Sequence, residues 1–473
     1  MPAVALLRQQ SVDNAKVACR RSSLLTSGLV ASGAIGIKTG MIIMSVATAT
    51  PSPFQRVLEW RYSTLMVWTA IGLLVVETFS GFLRYALDMV GASALVYLPK
   101  IACLALFALQ VATVKLPRVI WVGLFAGLAY AALALLHGGS FNNVLFSLFV
   151  YSPLLFGLVC GRELLKQRRL LGRAMFLLLL ASLVGIALDK YTSVPWKGYS
   201  YNLGGNDIAG NTQWVAGEED RIAGFARVSN VLAALIAVYC LFLAQFARSK
   251  TLWLVVALVG FFGILLTTSK APAAAFAFTL ALMVTRRFQW PTYALILLAV
   301  VGGMLLPVLS LIRDFDPLVV MSDSGLASFY DRLVNTWPNV VAEMSRHGWT
   351  VEGAGFGLFG SSMAAFPVPG IDLFVTSDSS VVYLWCVFGV VGILGYAMQL
   401  PVFIRLHTAP DRLSHTLLAI AFCLCLIGWT TDLFDIGVGN LFVGIILGYV
   451  LMRDPEDDGQ QRLRPVSASA LAD

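Results

Sequence analysis

TLWLVVALVGFFGILLTTSKAPAAAFAFTLALMVT, residues 251–285, carries a single charge, Lys270, set between two apolar runs. Runs of roughly 17–25 apolar residues cross about 30 Å of hydrocarbon. No water is available at that depth, so each run must satisfy its own backbone as a helix. Arg248 and Lys250 precede the stretch and Arg286 and Arg287 follow it, which marks a helical pair with both outer ends on one side of a membrane.

The same pattern recurs in both directions. Spans are expected near 63–80, 96–114, 119–136, 143–161, 174–189, 228–247, 251–268, 271–285, 291–310, 380–400, 416–432 and 436–452. Composition agrees: 58% of residues are hydrophobic and 12% charged, against about 25% charged in soluble domains. The mean hydropathy of +0.80 is too high for a single anchor. The expected fold is therefore all-α, a polytopic bundle of about 12 helices.

Alternate connections hold the positive charge: Lys115 and Arg118; Arg162, Lys166, Arg168, Arg169 and Arg173; Arg248 and Lys250; Arg286 and Arg287; Arg405 and Arg412; then Arg453. The opposite short connections hold Arg84 and Lys270. This bias places both termini in the cytoplasm. The +7 net charge is thus an orientation signal and not a nucleic-acid footprint. Residues 1–62 read as a cytoplasmic or interfacial N-terminal segment, or in part as a start-site artefact with Met41 or Met44 as alternatives; residues 453–473 read as a cytoplasmic tail. Of the seven cysteines, all but Cys19 lie in apolar runs, so neither a disulfide framework nor a zinc site is expected.

Two long polar segments, 190–227 and 311–379, fall on the outer side, and loops of this length tend to carry function. Residues 324–345 have helical spacing, with Ser324 as a cap and Leu326, Phe329, Leu333 and Trp337 on one face, until Pro338 breaks or kinks the run. Such a helix can lie along the membrane surface with its apolar face down. The outer segments hold Arg221 and Arg227, then Arg313, Arg332 and Arg346. Arginine grips phosphate oxygens bidentately and keeps its charge; each is also explicable as loop charge paired with Asp220, Asp314 or Asp331. Lys270 either faces a polar cavity or snorkels.

His347, Glu352 and Asp378 are the base candidates, with a solvated loop histidine and a helix N-cap as the plainer readings of His347 and Asp378. Asp314-Phe315-Asp316 is too small a set for a metal site. Gly353, Gly355, Gly357 and Gly360 lack the strand and helix of a nucleotide cradle. The aromatics of both segments, Trp196, Tyr199, Tyr201 and Trp214, then Trp337, Trp349, Phe356, Phe359 and Phe366, suit either sugar stacking or a membrane interface.

Four motifs together resemble the O-antigen ligase and polymerase superfamily, which includes the Wzy-type polymerases of surface polysaccharides. Arg221-Ile222-Ala223-Gly224-Phe225 with Asn230 is similar to the family's Arg-x-x-Gly-Phe stretch. Ser269-Lys270 resembles its Ser-Arg turn, with lysine's point charge in place of the arginine fork. Arg332 and Trp337 leading to Gly353-Ala354-Gly355-Phe356-Gly357 resemble its Arg-Trp helix and Gly-x-Gly turn. Asp378-Ser379-Ser380, Leu384 and Gly389-Val390-Val391-Gly392 resemble its re-entry segment. Arg346, ten intervening residues and then Gly357 make the polymerase spacing; ligases carry histidine where Arg346 stands, and His347 is one place out of register.

The resemblance implies a GT-C-type inverting glycosyltransferase of the bacterial inner membrane. It would act on undecaprenyl-diphosphate-linked oligosaccharide within the lipid bilayer, with a chain-length regulator as a partner and with no cofactor or metal. Arg346, His347 and Asp378 would then be catalytic, and Arg221, Arg227, Lys270 and Arg332 would bind diphosphate or glycan. Arg221→Ala and Arg346→Ala are each expected to abolish polymer. An O-antigen ligase is the alternative within this chemistry. A lipid-linked oligosaccharide flippase is the alternative outside it.

Overall fold

A computed structural model of the chain describes residues 53–203, 206–212, 215–216, 219–313, 315, 327–371 and 376–452. Expectations for Cys19, Met41, Met44, Trp214, Asp314, Asp316, Ser324, Arg453 and the segments 1–52 and 453–473 lie outside the described residues. The chain divides into Met1–Gln55 and Arg56–Asp473, and the bundle is the second unit.

In order, the helices are α1 (Pro53–Thr78), α2 (Ser80–Asp88), α3 (Leu98–Thr113), α4 (Arg118–Leu136), α5 (Phe141–Val150), α6 (Ser152–Lys166), α7 (Arg168–Tyr191), α8 (Ser229–Ala244), α9 (Lys250–Leu266), α10 (Lys270–Thr285) and α11 (Gln289–Ile312). They continue with α12 (Ala327–Asp331), α13 (Trp337–Arg346), α14 (Ser361–Ala365), α15 (Ser380–Ala397), α16 (Gln399–Thr408), α17 (Arg412–Ile427) and α18 (Gly437–Leu451). Each of the twelve apolar segments expected from sequence falls on one or two of these helices.

Among the described residues, five helices are long and apolar enough to cross a membrane. They are seven if two bent pairs, α1 with α2 (84°) and α5 with α6 (41°), each count as one span. The remaining apolar helices, α8, α9, α10, α17 and α18, are shorter. Large apolar side chains point away from the protein along several helices, among them Trp68, Phe125, Leu128, Phe262, Phe278 and Leu298. In water such a surface would be unstable; against lipid it is the expected exterior.

The polar first segment departs from an all-helical reading, since it folds two antiparallel hairpins. Ser200–Leu203 (β1) pairs with Asn206–Ala209 (β2), and Val215–Ala216 (β3) with Glu219–Asp220 (β4).

The centre of the bundle is α8, in which every residue from Leu232 to Phe242 is buried. A helix buried on all faces is surrounded by other parts of the protein and not by lipid. Its one polar group there, the Tyr239 hydroxyl, is satisfied by Thr78 at 2.8 Å.

The closest helix pair is α6 against α18, and sequence dictates the approach. Each helix carries a Gly-x-x-x-Gly face: Gly157 and Gly161 on α6, Gly444 and Gly448 on α18. A Cβ on Gly157 would stand 2.5 Å from the Leu441 carbonyl oxygen, and one on Gly444 would overlap that of Leu154. Without a hydrophobic driving force between helices in lipid, such close packing is what holds them together. The turn before α18, residues 428–436, joins this pair to α17.

Candidate functional site

Arg221 ends hairpin β3–β4, and the five residues after it are held from four directions. Asp189, buried at the end of α7, accepts from the backbone N–H groups of Ala223 and Gly224, both at 2.9 Å, and pairs with Lys197 at 3.4 Å. Trp196 Nε1 donates to the Gly224 carbonyl at 2.8 Å. Gly224 has φ +59 and lies against the Gly185 backbone, so it needs glycine on both counts. The Phe225 carbonyl accepts from the first N–H groups of α2, Gly81 at 2.9 Å and Phe82 at 3.1 Å. Asn211 Nδ2 donates to the Ala226 carbonyl at 2.9 Å. The Arg-x-x-Gly-Phe stretch is thus a rigid loop whose first residue is delivered to a defined place.

Arg332 arrives from the other long segment. It opens a π-helical turn, Arg332–Thr336, between α12 and α13. Pro338 has no N–H for the Val334 carbonyl, and the widened turn absorbs that loss. The run expected to break or kink at Pro338 continues through the widened turn to Arg346, with Trp337 fully buried and its Nε1 donating to the Ser377 carbonyl at 2.9 Å. The apolar face of this helix, Leu333, Trp337, Val340 and Met344, packs into the protein core.

Arg332 Nη1 donates to Ser328, at 2.6 Å to its carbonyl and 2.8 Å to its hydroxyl. Its Nη2 meets Asp378 Oδ2 at 3.1 Å. Arg221 is close enough to both that Arg332's charge adds to burial in lowering its pKa, while Asp378 opposes the shift. The Nε atoms of Arg221 and Arg332 are both buried and hydrogen-bond to nothing among the described residues. Arg332 therefore pairs with a half-exposed carboxylate, with a second guanidinium near enough to feel both charges and donors to spare on each arginine.

Asp378 is not the helix cap that its position before α15 suggests. Ser379 takes the cap position with extended backbone, and Asp378 sits at φ 49. Its neighbours are tied to Asp432, which ends up in the turn after α17 and not inside a span, because α17 stops at Ile427. Asp432 Oδ1 accepts from the Ser377 hydroxyl (2.5 Å) and the Ser379 N–H (3.0 Å); Oδ2 accepts from the Ser377 N–H (2.8 Å) and the Thr376 hydroxyl (2.9 Å). Burial, then the charge of Asp378, pushes the Asp432 pKa up, against the pull of these bonds.

One helical turn on, Asp435 accepts from the Ser361 N–H at 3.2 Å and the Tyr383 hydroxyl at 3.3 Å. Burial and then Asp432 push its pKa up to about 7.

Arg346 and His347 form a second group. Arg346 pairs with Glu343 on its own helix. His347 Nε2 lies 3.1 Å from the same carboxylate. A carboxylate only accepts, so Nε2 carries the proton and Nδ1 is the basic nitrogen. The His347 ring stacks on Trp349 at 4.4 Å, and Trp349 stacks on His137 at 4.6 Å. At 1.5 Å per residue, Arg346 is about 14 Å along α13 from the Trp337 end that meets the first group. Lys270 is exposed at the first position of α10, after a turn in which Thr268 has φ 58. Arg227 is exposed, its backbone tied to Ser80 and Thr212. Glu352 is exposed as well.

The glycine series packs against protein. Gly353 abuts the backbone at Gly389, Gly355 that of Ala134, and Gly357 that of Asn143. This segment inserts at a break in α15, where Gly389 has φ 58 and ψ −140. Ala354 N–H donates to the Cys386 carbonyl (2.7 Å), and Val390 N–H to that of Val351 (2.9 Å).

Sequence reasoning missed Asp189, Asp432 and Asp435. The signal was present for the last two: Trp429-Thr430-Thr431-Asp432-Leu433-Phe434-Asp435 places two acids between apolar runs, where ionisable residues are costly without a role.

No protein-family model, curated protein or solved structure matches the chain.

Proposed function

We propose that this protein is a polymerase of bacterial surface polysaccharide. It transfers a growing undecaprenyl-diphosphate-linked glycan onto a lipid-linked repeat unit at the periplasmic face of the inner membrane. The observation that carries the reading is the Arg332–Asp378 pair with Arg221, from the other long polar segment, near enough to feel both charges, and with both Nε donors buried and unpaired among the described residues. In the proposed GT-C-like topology the seven longer spans and the five shorter apolar helices make twelve crossings. Both termini are then cytoplasmic and the cluster is periplasmic.

In the transfer, the acceptor hydroxyl oxygen bonds to the anomeric carbon of the donor glycan. The bond from that carbon to the diphosphate oxygen breaks with inversion, and the electron pair leaves with the diphosphate. Asp378 takes the hydroxyl proton. Arg221 and Arg332 stabilise the charge that grows on the departing phosphates, the part of such a reaction where preorganised donors contribute most. Arg332 also orients Asp378, so donor grip and base share one fixed group. Arg227 and Lys270, exposed at loop edges, suit the outer phosphates or the glycan. Arg346 and His347 suit the acceptor side.

A strain lacking the gene should accumulate single repeats on lipid carrier. Purified protein in liposomes should then link those repeats with no gradient across the membrane. Normal long polymer in the deletion strain would sink the proposal. Long lipid-linked polymer that never reaches its acceptor would indicate the ligase. A transporter is the second reading, favoured by the break in α15 and the 84° bend after α1, since discontinuous helices line transporter sites. Repeats that cross the bilayer unlinked in the liposome assay would select it.

A further inference from the structure

We infer that Asp432 is a positioning residue: its carboxylate locks the backbone on both sides of Asp378 and so holds that acid against Arg332. The inference rests on the functional reading above and assigns a role to a residue outside both long polar segments.

Asp378 has a left-handed backbone, a region that non-glycine residues enter rarely and that persists only where surroundings over-determine it. The surroundings here are Asp432. Ser377 before the strained residue and Ser379 after it both donate backbone N–H groups to this one carboxylate, at 2.8 and 3.0 Å. The Ser377 hydroxyl adds a bond at 2.5 Å. The Thr376 hydroxyl stands between the two acids, 2.9 Å from Asp432 Oδ2 and 3.2 Å from Asp378 Oδ1. It has one proton to give, so it links the two carboxylates instead of satisfying both.

All of the groups facing Asp432 in these bonds are donors, which is why a carboxylate stands there. It offers about four lone-pair sites and no competing hydrogen, whereas an asparagine amide would turn an NH2 towards two of the donors. Asp432 is buried, and the turn that carries it is stitched to the start of α15: Ser380 N–H donates to the Gly428 carbonyl at 2.7 Å, and the Ser380 hydroxyl to that of Thr431 at 3.0 Å. The second acid of the turn, Asp435, holds Ser361 and Tyr383. One short turn thus clips two separate stretches of the second long segment to the bundle, and Asp432 is the clip beside the reacting groups.

The test uses full-length protein in liposomes with lipid-linked repeats taken from the deletion strain. Asp378→Asn, Asp432→Asn and their combination are compared. Asp432→Asn should lower kcat about 100-fold, the scale of a misplacement near 1 Å. KM for the lipid-linked donor should move less than about threefold. The double variant should be no slower than Asp378→Asn alone, because a residue that acts through another adds nothing once its client is gone. Losses that multiply in the double variant, or full kcat in Asp432→Asn, overturn the inference.

Thr376→Val combined with Ser377→Ala removes two hydroxyl donors and leaves the buried acid in place. It should cost about tenfold in kcat, and no loss would count equally against the inference if Asp432→Asn does not fold. A readout independent of activity separates this inference from the function. In Asp378→Cys protein, adding Asp432→Asn should raise the rate of thiol labelling by a membrane-impermeant maleimide about tenfold, as local opening becomes easier. An unchanged labelling rate overturns the positioning role whatever reaction the protein runs. Normal long polymer in the deletion strain, with accelerated labelling, overturns the functional reading alone.

Discussion

The two cation groups of the long polar segments are built differently. Arg221, Arg332 and Asp378 come from three stretches far apart in the chain, and the two guanidinium groups keep buried donors unpaired among the described residues. Arg346 and His347 lie three and four residues from Glu343, which pairs with both. Local pairs of that kind form on any helix surface and contribute little; Arg346 is 55% exposed. A cluster assembled by the fold, with hydrogen-bonding capacity left over, is the stronger sign of a bound anion. A cluster assembled by one helix turn satisfies itself.

The largest expected effect is at Arg221. Arg221→Ala should cut polymer formation at least about 100-fold while the protein still reaches the membrane, the scale for losing one preorganised donor. Polymer of full length in cells carrying this variant would remove the arginine mechanism. Asp378→Asn should lose about 100-fold or more in kcat if it is the base, read in the same liposomes. Retained kcat would move the base to His347 Nδ1 and reverse the ranking of the two groups.

Arg346→Ala sharpens the contrast. Sequence alone leads one to expect abolished polymer; its pairing with Glu343 on the same helix leads to a smaller loss, within about tenfold in chain output. Equal losses for Arg346→Ala and Arg221→Ala would break the comparison.

The smallest effect concerns pH and stability. The Asp435 pKa lies near 7 in the folded chain against an ordinary 3.8. Between those values the folded state holds a proton that the unfolded state has released. Stability from this group is therefore full at low pH and is lost as pH rises through about 7. Thermal melts of wild type and Asp435→Asn in detergent should differ least near pH 3.5 and separate progressively up to about pH 7, with the variant relatively more stable at pH 8. Parallel curves would place no such proton on Asp435.

Helix positions were legible from sequence because burial in lipid has a local signature. Each apolar run between charged turns became a helix, including the pair joined by Thr267–Ser269. Arg221, Arg332 and Asp378 were legible as residue types at loop positions. Their partnership was not, since an ion pair between residues 332 and 378 leaves no mark in local composition. Asp378 shows the limit well. Its place before a helix suggested a cap, yet the left-handed φ and the role of Ser379 depend on Asp432, far along the chain.

By itself, the sequence determined that the chain is helical and suited to a membrane, because hydrocarbon forces every spanning backbone to bond within its own helix. It also determined where the flanking charge lies. The tertiary structure alone decided which charges meet. Facing glycines let α6 and α18 pack closely, and in the turn before α18 Asp432 fixes the backbone on which Asp378 faces Arg332. Charges interact through distance in space, and only packing sets that distance.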